Sequence, residues 1–258
     1  MSYMVFDIES IADKELIAKA RRESDTDLAV EKYRKELMER KGSDFIPYTM
    51  QIPVSLVVGL VDDRYRWREQ EVLKFEDGGP EYIAKKFWDM WVDCGTPTFV
   101  TFNGRGFDIP LMEMMAFRYG ISLPAWYALG AKSWAQPRGR YNHEWHLDLY
   151  DFLTNYGAIP FSGGLNLAAK ALGMPGKMET EGCMVQCLFD AGRLEEIHSY
   201  CRCDVLDTYF VFLRIMTLCG KINNEEEQIR RDEVMGWLNS MKTEIPVFVE
   251  YLERMETE

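Results

Sequence analysis

The segment 54–61 constrains the fold more than any other part of this 258-residue chain. It is almost entirely apolar and rich in β-branched valine, and the pair Asp62-Asp63 marks a turn directly after it. A short run of this composition is typical of a strand that is buried within a sheet. The weak alternation over residues 65–75 predicts a second strand that pairs back on the first as a hairpin.

The remaining segments predict strands and helices in alternation. Three further strands are expected at residues 4–8, 98–102 and 146–149. Helical spacing of apolar residues predicts helices at 81–93, 110–119, 165–172, 180–190, 193–218 and 224–254. Because strands come first and strand–helix alternation follows, we predict an α/β fold with a mixed five-stranded sheet flanked by helices.

Two segments are strongly charged. Residues 12–41 hold nine Lys/Arg and eight Asp/Glu, with apolar residues at roughly helical spacing, which predicts one or two charged helices. We therefore assign residues 12–46 to a helical insertion after the first strand, within a domain that spans residues 1–220. Residues 221–258 are assigned to an acidic C-terminal helical extension.

Four carboxylates occupy positions that predict a shared site. Asp7 and Glu9 end the first strand two residues apart, so both project from the same face of the sheet. Asp108 follows a strand and a turn. Asp204 lies in an otherwise apolar helix four residues after Tyr200, a spacing that places both side chains on one helical face.

If these four carboxylates converge, their mutual repulsion raises their pKa values and opposes folding, and divalent cations relieve it. A ligand set made only of oxygen atoms suits Mg²⁺ or Mn²⁺ better than zinc. Two such ions, about 4 Å apart, activate water and stabilise the leaving oxygen in phosphodiester cleavage. We therefore predict two divalent metal ions, Mg²⁺ or Mn²⁺, at Asp7, Glu9, Asp108 and Asp204.

Three motifs in chain order resemble those of the DEDD 3′–5′ exonucleases. Asp7-Ile8-Glu9-Ser10 resembles the first motif, residues 103–108 the second, and residues 200–204 the third in its tyrosine form, DEDDy. From residue 4 to about residue 218 the chain resembles the stand-alone bacterial exonucleases related to the proofreading domain of family-B DNA polymerases. The resemblance to this DnaQ-like superfamily implies an RNase H-like fold and release of 5′-mononucleotides from 3′ ends of single-stranded DNA.

The resemblance also implies a role for each catalytic residue. Asp7 would bridge both ions, Glu9 and Asp204 would hold the ion that carries the attacking water, and Asp108 would bind the second ion through water. Tyr200 would orient the attacking water, because a phenol with a pKa near ~10 suits positioning better than proton abstraction at neutral pH.

Substrate contacts are implied at three further positions. Asn103 and Phe107 would contact the terminal nucleotides. Ser10 stands where the family usually has threonine, so its hydroxyl remains but a methyl group beside the last nucleotide is lost.

A separate basic segment, residues 132–143, contains no acid and is interleaved with aromatic residues. Basic and aromatic side chains together suit single-stranded nucleic acid, so Arg138 and Arg140 are candidate substrate-binding residues. Lys170 and Lys177 are placed so that they could extend this basic track. The competing interpretation is a surface loop that its aromatic residues anchor.

Structural interpretations compete at other positions too. Asp108 could cap a helix before Pro110, Tyr200 could be a core tyrosine, and Asn103-Gly104 could be only a turn. Asp148 is expected to hold a nearby backbone or helix end rather than a metal. The Cys and His residues near the third motif match no common zinc module and are expected to pack as apolar side chains: Cys183, Cys187, His198, Cys201 and Cys203.

The net charge of −12 excludes a uniformly basic nucleic-acid-binding surface, although local charge can differ from the total. The sequence contains no apolar stretch long enough to cross a bilayer, and its start has no hydrophobic signal core. We therefore expect a cytoplasmic protein with reduced cysteines and no membrane partner, and the sequence leaves its protein partners unknown.

Two rival functions stay open at this point. The same carboxylate set serves RNA 3′ ends, and discrimination depends on contacts to the 2′-OH that the sequence does not reveal. The fold could also serve as a non-catalytic interaction module, through the charged insertion or the acidic extension. Any replication role would act in trans or as a separate repair activity, since the chain has no room for a polymerase.

Overall fold

The structure is a computed structural model that describes residues 2–176 and 184–257. Lys177, Cys183 and the first part of the helix predicted at 180–190 lie outside the described residues. The strands of the described part are β1 (Tyr3–Ala12), β2 (Gln51–Val61), β3 (Trp67–Lys74), β4 (Thr98–Thr101) and β5 (His146–Asp148).

The helices of the described part surround this sheet. In chain order they are α1 (Lys14–Arg21), α2 (Thr26–Lys41), α3 (Gly79–Asp93), α4 (Asp108–Tyr119), α5 (Pro124–Tyr127), α6 (Leu149–Leu153), α7 (Gly164–Lys170), α8 (Val185–Asp190), α9 (Leu194–Leu218), α10 (Asn224–Met241) and α11 (Val247–Thr257). Within residues 2–176 and 184–257, none of these helices combines the length and the apolar character that a membrane crossing requires.

The five strands form one mixed sheet in the order β3-β2-β1-β4-β5. β1 pairs antiparallel with β2, which pairs antiparallel with β3, whereas β1–β4 and β4–β5 are parallel. The prediction of a mixed five-stranded α/β sheet, including the β2–β3 hairpin, is confirmed. The apolar run of β2 is buried because the strand lies inside the sheet and is covered on both faces.

Two apolar clusters cover the two faces of the sheet. Successive side chains of a strand point to opposite faces, so Met4, Phe6 and Ile8 of β1 pack with α3 and α4. Val5 points the other way, into the cluster that contains α9. Burial of each large apolar side chain contributes about 1.5–3 kcal/mol, and these two layers hold β1 rigidly between them.

The charged segment after β1 folds as two helices, as predicted. Asp13 and Asp25 cap α1 and α2, each accepting backbone N–H hydrogen bonds from the first turn of its helix. The pair has a small apolar core of its own, which includes Ile17 and Ile46. Lys14 joins α1 to α8 through an ion pair with Asp190, 3.0 Å long.

The C-terminal segment differs from the single helix predicted at 224–254. It forms α10 and α11, with Pro246 directly before α11, because proline lacks the N–H that a continuous helix would need. Leu238, Phe248 and Tyr251 are completely buried in the same core as α9. The acidic extension is therefore packed into the core that supports the sheet.

The hydrogen bond between Tyr251 and Asp207 tests this packing. The Tyr251 hydroxyl donates to Asp207 Oδ1 over 2.5 Å, and both residues are fully buried. Tyr251→Phe should lower the free energy of unfolding by about 1–3 kcal/mol, because the buried carboxylate loses a donor. Urea unfolding measures this change, with Tyr141→Phe at an exposed site as the control. Equal stability of the two variants would contradict the packing of α11 on α9.

Candidate active site

A cleft of about 620 Å³ opens where β1 runs past the end of β4. β4 pairs with β1 only at residues 3–5, so among the described residues no strand pairs with the following part of β1 on that side. The carboxylates of Asp7, Glu9, Asp108 and Asp204 all line this cleft, together with Tyr200. The structure thus brings together the five residues that the sequence singled out as catalytic candidates.

β1 positions the first two carboxylates. The strand extends to Ala12, four residues beyond the predicted end, so Asp7 and Glu9 lie inside it rather than at its end. Both belong to the β1 face that bears Val5 and faces α9. The pairing of β1 with β2 shifts register between Glu9 and Ser10, and this irregularity changes the direction of the strand as it leaves the cleft.

Asp148 shapes the turn before Asp108. Its carboxylate accepts the backbone N–H groups of Asn103 at 2.9 Å and Arg105 at 2.8 Å, and it also caps α6. The prediction that Asp148 holds nearby backbone and a helix end is confirmed. Asn103 adopts the left-handed region (φ 66°), where asparagine is tolerated better than most residues, so Asn103 and Gly104 do form a turn, and the nucleotide contact of Asn103 stays a prediction.

Asp108 is the first residue of α4, not its cap. The cap position is Phe107, and no side chain bonds to the helix end there, so the alternative that Asp108 caps this helix is wrong. Burial raises the pKa of the Asp108 carboxyl well above its ordinary value, and the charge of Asp7 adds to the effect. The convergence of carboxylates is therefore costly without a compensating positive charge.

The helix α9 supplies Tyr200 and Asp204 one turn apart. Tyr200 is 4% exposed, and its pKa is raised by burial and by the negative charges of Asp204, Glu9 and Asp7. The phenol therefore stays protonated at neutral pH and can act as a hydrogen-bond donor. Tyr200 is thus buried like a core tyrosine and also forms part of the cleft lining.

The donor set fits a hard divalent cation. Carboxylate oxygens of Asp7 and Glu9 lie with Cys201 Sγ within 4.8 Å of one another. Cys201 is not suited to act as a ligand, because burial raises the pKa of its thiol well above the ordinary value and Sγ donates to the Asp7 carbonyl oxygen, 3.3 Å away. The oxygen atoms that remain are the ligands that Mg²⁺ and Mn²⁺ prefer.

The described Cys and His residues do not come together in a cluster that could bind zinc. Cys203 is buried in the core with α9, Cys187 is exposed, and Cys183 lies outside the described residues. His198 is buried and lies 2.9 Å from Ser55 Oγ and 3.2 Å from the Glu76 carboxylate. The contacts from Ser55 through His198 to Glu76 resemble those of a serine hydrolase triad. Ser55 is completely buried in β2, however, and cannot reach a substrate.

The predicted substrate residues divide into two groups. Ser10, Asn103 and Phe107 line the cleft, and Ser10 Oγ donates to Gln51 Oε1 over 2.6 Å. Arg138 and Arg140 do not line it. Arg138 forms a two-bond ion pair with Glu113, and Arg140 contacts Asp151 at 3.2 Å, a carboxylate that it shares with Arg105.

Among the cleft residues that the sequence did not single out, six lie outside β1 and the turn after β4. They come from the insertion, from the start of β2 and from α8: Arg34, Asp44, Phe45, Ile46, Gln51 and Gln186. Gln186 reaches the cleft by accepting the backbone N–H of Ala12 at 3.1 Å. No local pattern marks these residues, because their position depends on how the insertion folds back over β1.

Comparisons with known proteins agree with this geometry. A family model described as a predicted 3′–5′ exonuclease related to the exonuclease domain of PolB matches residues 43–255. The matched segment includes Asp108, Tyr200 and Asp204, whereas Asp7 and Glu9 precede it. No curated protein sequence matches the chain significantly.

One similar solved structure is the family B DNA polymerase from the hyperthermophilic archaeon Pyrobaculum calidifontis, at 18% identity and a TM-score of 0.50. The alignment covers 83% of this chain and 24% of the polymerase chain. At this identity the match concerns the fold alone, and it agrees with an RNase H-like α/β sheet.

The turn before Asp108 leaves no room for a side chain at Gly104. A Cβ atom there would lie 2.4 Å from Thr101 Oγ1, and Thr101 is buried and bonded to His146. Gly104→Ala should therefore lower the free energy of unfolding by about 1–3 kcal/mol, through overpacking. Chemical denaturation measures the loss, and Gly130→Ala is the matched control because its Cβ would meet no atom within 4 Å. A neutral Gly104→Ala would show that the turn is not held tightly.

Proposed function

The chain belongs to the family of predicted 3′–5′ exonucleases related to the exonuclease domain of PolB, and from that premise we propose that it releases 5′-mononucleotides from the 3′ ends of single-stranded DNA. The observation that carries the proposal is the convergence of Asp7, Glu9, Asp108 and Asp204 in one cleft. Carboxylates that repel one another in a partly buried site are stabilised when divalent cations bind. The proposed cofactors are two Mg²⁺ or Mn²⁺ ions.

When bound, the ions would supply charge stabilisation and an activated water for phosphodiester hydrolysis. Asp7, Glu9 and Asp204 would hold them from β1 and α9, and Asp108 from the start of α4. Water would add to phosphorus while the bond to the 3′ oxygen of the preceding nucleotide breaks. The products are a 5′-mononucleotide and a strand one residue shorter with a free 3′-OH.

Tyr200 is proposed to orient the attacking water, as expected for the tyrosine form of the DEDD site. Its protonated hydroxyl can donate a hydrogen bond but cannot act as a base at neutral pH, because burial and nearby carboxylates raise the pKa of the phenol. Its chemical contribution is therefore to position the water, and the carboxylates must accept the proton that the water loses.

The charge of the cleft makes substrate binding dependent on the same ions. A cleft lined by these carboxylates repels a phosphodiester, so strands should bind weakly and with strong salt sensitivity when a chelator is present.

Five cysteines among the described residues are free thiols, which agrees with the proposal that the protein acts in the reducing cytoplasm.

The decisive experiment compares DNA and RNA side by side. Single strands labelled at the 5′ end are incubated with purified protein and Mg²⁺ or Mn²⁺, and 3′–5′ digestion should shorten the labelled DNA one nucleotide at a time. Asp204→Asn should abolish this release while keeping the thermal transition. Faster digestion of RNA would make the protein an exoribonuclease. If the protein digests neither strand and binds no Mn²⁺ in calorimetry, the fold serves as a non-catalytic module.

Tyr200→Phe separates positioning from binding. Loss of the hydroxyl should lower kcat by about 10²-fold or more, with a much smaller change in KM, because the water loses its orienting donor. Single-turnover and steady-state kinetics on the same labelled strand measure both constants.

The matched control is Tyr209→Phe on the same helix. Its hydroxyl donates to the Tyr65 carbonyl oxygen at 2.8 Å, away from the cleft, so this variant should lose stability and keep kcat. A Tyr200→Phe enzyme with unchanged kcat would make Tyr200 purely structural.

A further inference from the structure

We propose that the helical insertion supplies a subsite for an unpaired nucleotide, in which Phe45 stacks on the base and Arg34 binds a phosphate. The inference rests on the proposed nuclease function and names the part of the chain that holds the strand. Neither residue belongs to the three sequence motifs, and Arg34 precedes the segment that the family model matches.

Phe45 is exposed inside the cleft. Its side chain is 62% exposed although it lines the same cleft as the carboxylates. The ring contacts Phe107, with centroids 5.7 Å apart and planes at 58°, and Phe107 directly precedes Asp108. Because the two rings already touch, a base would stack on the free face of Phe45 rather than enter between them.

The position of Phe45 is tied to β1. The neighbouring Ile46 is buried in the core of the insertion, and its carbonyl oxygen accepts a hydrogen bond from Gln51 Nε2. Gln51 in turn accepts a hydrogen bond from Ser10, the residue after Glu9. This chain of contacts holds the aromatic ring at a set distance from the carboxylates, so little ordering cost remains when a base binds.

Arg34 is the one cation among the described side chains that line the cleft, opposite five carboxylates. Its guanidinium lies 3.7 Å from Asp44, and both side chains are about half exposed. Such an exposed pair is weak, because water screens both charges. At 3.7 Å this contact is longer than a hydrogen bond, so the terminal nitrogens of the half-exposed Arg34 side chain keep donors for a phosphate.

These two contacts define the substrate class. The free face of an aromatic ring takes any base, but only a base whose own face is not stacked within a duplex. The phosphate contact is independent of base and of sugar. The subsite therefore selects unpaired strands without sequence preference, and it does not distinguish DNA from RNA.

Three substitutions at Phe45 test stacking. Phe45→Ala should raise KM for an oligothymidylate about tenfold, the lower part of the range for one base–aromatic stack, and leave kcat nearly unchanged. Phe45→Trp should retain binding, whereas Phe45→Leu, apolar but without a π face, should bind as weakly as the alanine variant. Phe117→Ala is the matched control, since Phe117 is 82% exposed on α4 outside the cleft. Wild-type binding by Phe45→Leu would overturn the stacking contact.

Salt dependence tests Arg34. Fluorescence anisotropy with the same strand, in chelator and over a range of salt, reports binding without hydrolysis. Arg34→Gln should reduce the slope of log K against log salt by about 1, and Arg34→Lys should restore most of it. The control is Lys35→Gln, the neighbouring cation on α2 that does not line the cleft. Equal slopes for the two Gln variants would overturn the phosphate contact.

Strand digestion and strand binding are measured separately, and together they distinguish this inference from the proposed function. If the wild-type protein digests no strand and Phe45→Ala still weakens binding in anisotropy, the subsite stands and the nuclease assignment fails. If the wild-type protein digests strands and the Phe45 and Arg34 variants match it in KM, binding constant and salt slope, the nuclease assignment stands and the subsite fails.

Discussion

Mutual repulsion among the carboxylates gathered around the middle of β1 is the constraint on which the rest of the structure depends. Taking a carboxylate out of water costs several kcal/mol, and a domain is stabilised by only about 5–15 kcal/mol in total. Asp108 shows this cost directly, because burial and the charge of Asp7 raise the pKa of its carboxyl. A flexible scaffold would relax and move the charges apart.

The scaffold resists that relaxation from several directions. β1 lies between β2 and β4 and is packed on both faces by apolar clusters. The helix α9, which carries Tyr200 and Asp204, is buried against the sheet and is supported in turn by α10 and α11. The Cys201 thiol, kept protonated by burial, donates to Asp7 without adding a charge. The acidic C-terminal segment thus contributes to holding the carboxylates in place.

The sequence was informative wherever periodicity or spacing carries the signal. Alternation along β1 predicted that Asp7 and Glu9 share a face, and the interval between Tyr200 and Asp204 predicted that they share a helix face. The prediction from sequence failed where a single residue interrupts a helical pattern. Pro246 divides the predicted C-terminal helix in two, and the helical spacing on either side conceals the break. The sequence also did not show that Arg138 is paired with Glu113, since the two residues lie on different elements.

The sequence by itself determined the fold class and singled out the four candidate carboxylates, because both depend on local composition and on distances of a few residues. Only the tertiary structure decided what surrounds those carboxylates. Phe45 and Arg34 reach the cleft because the insertion folds back over β1, through contacts between residues that are far apart in the chain. No period in the sequence encodes such contacts, since they depend on the packing of whole elements against one another.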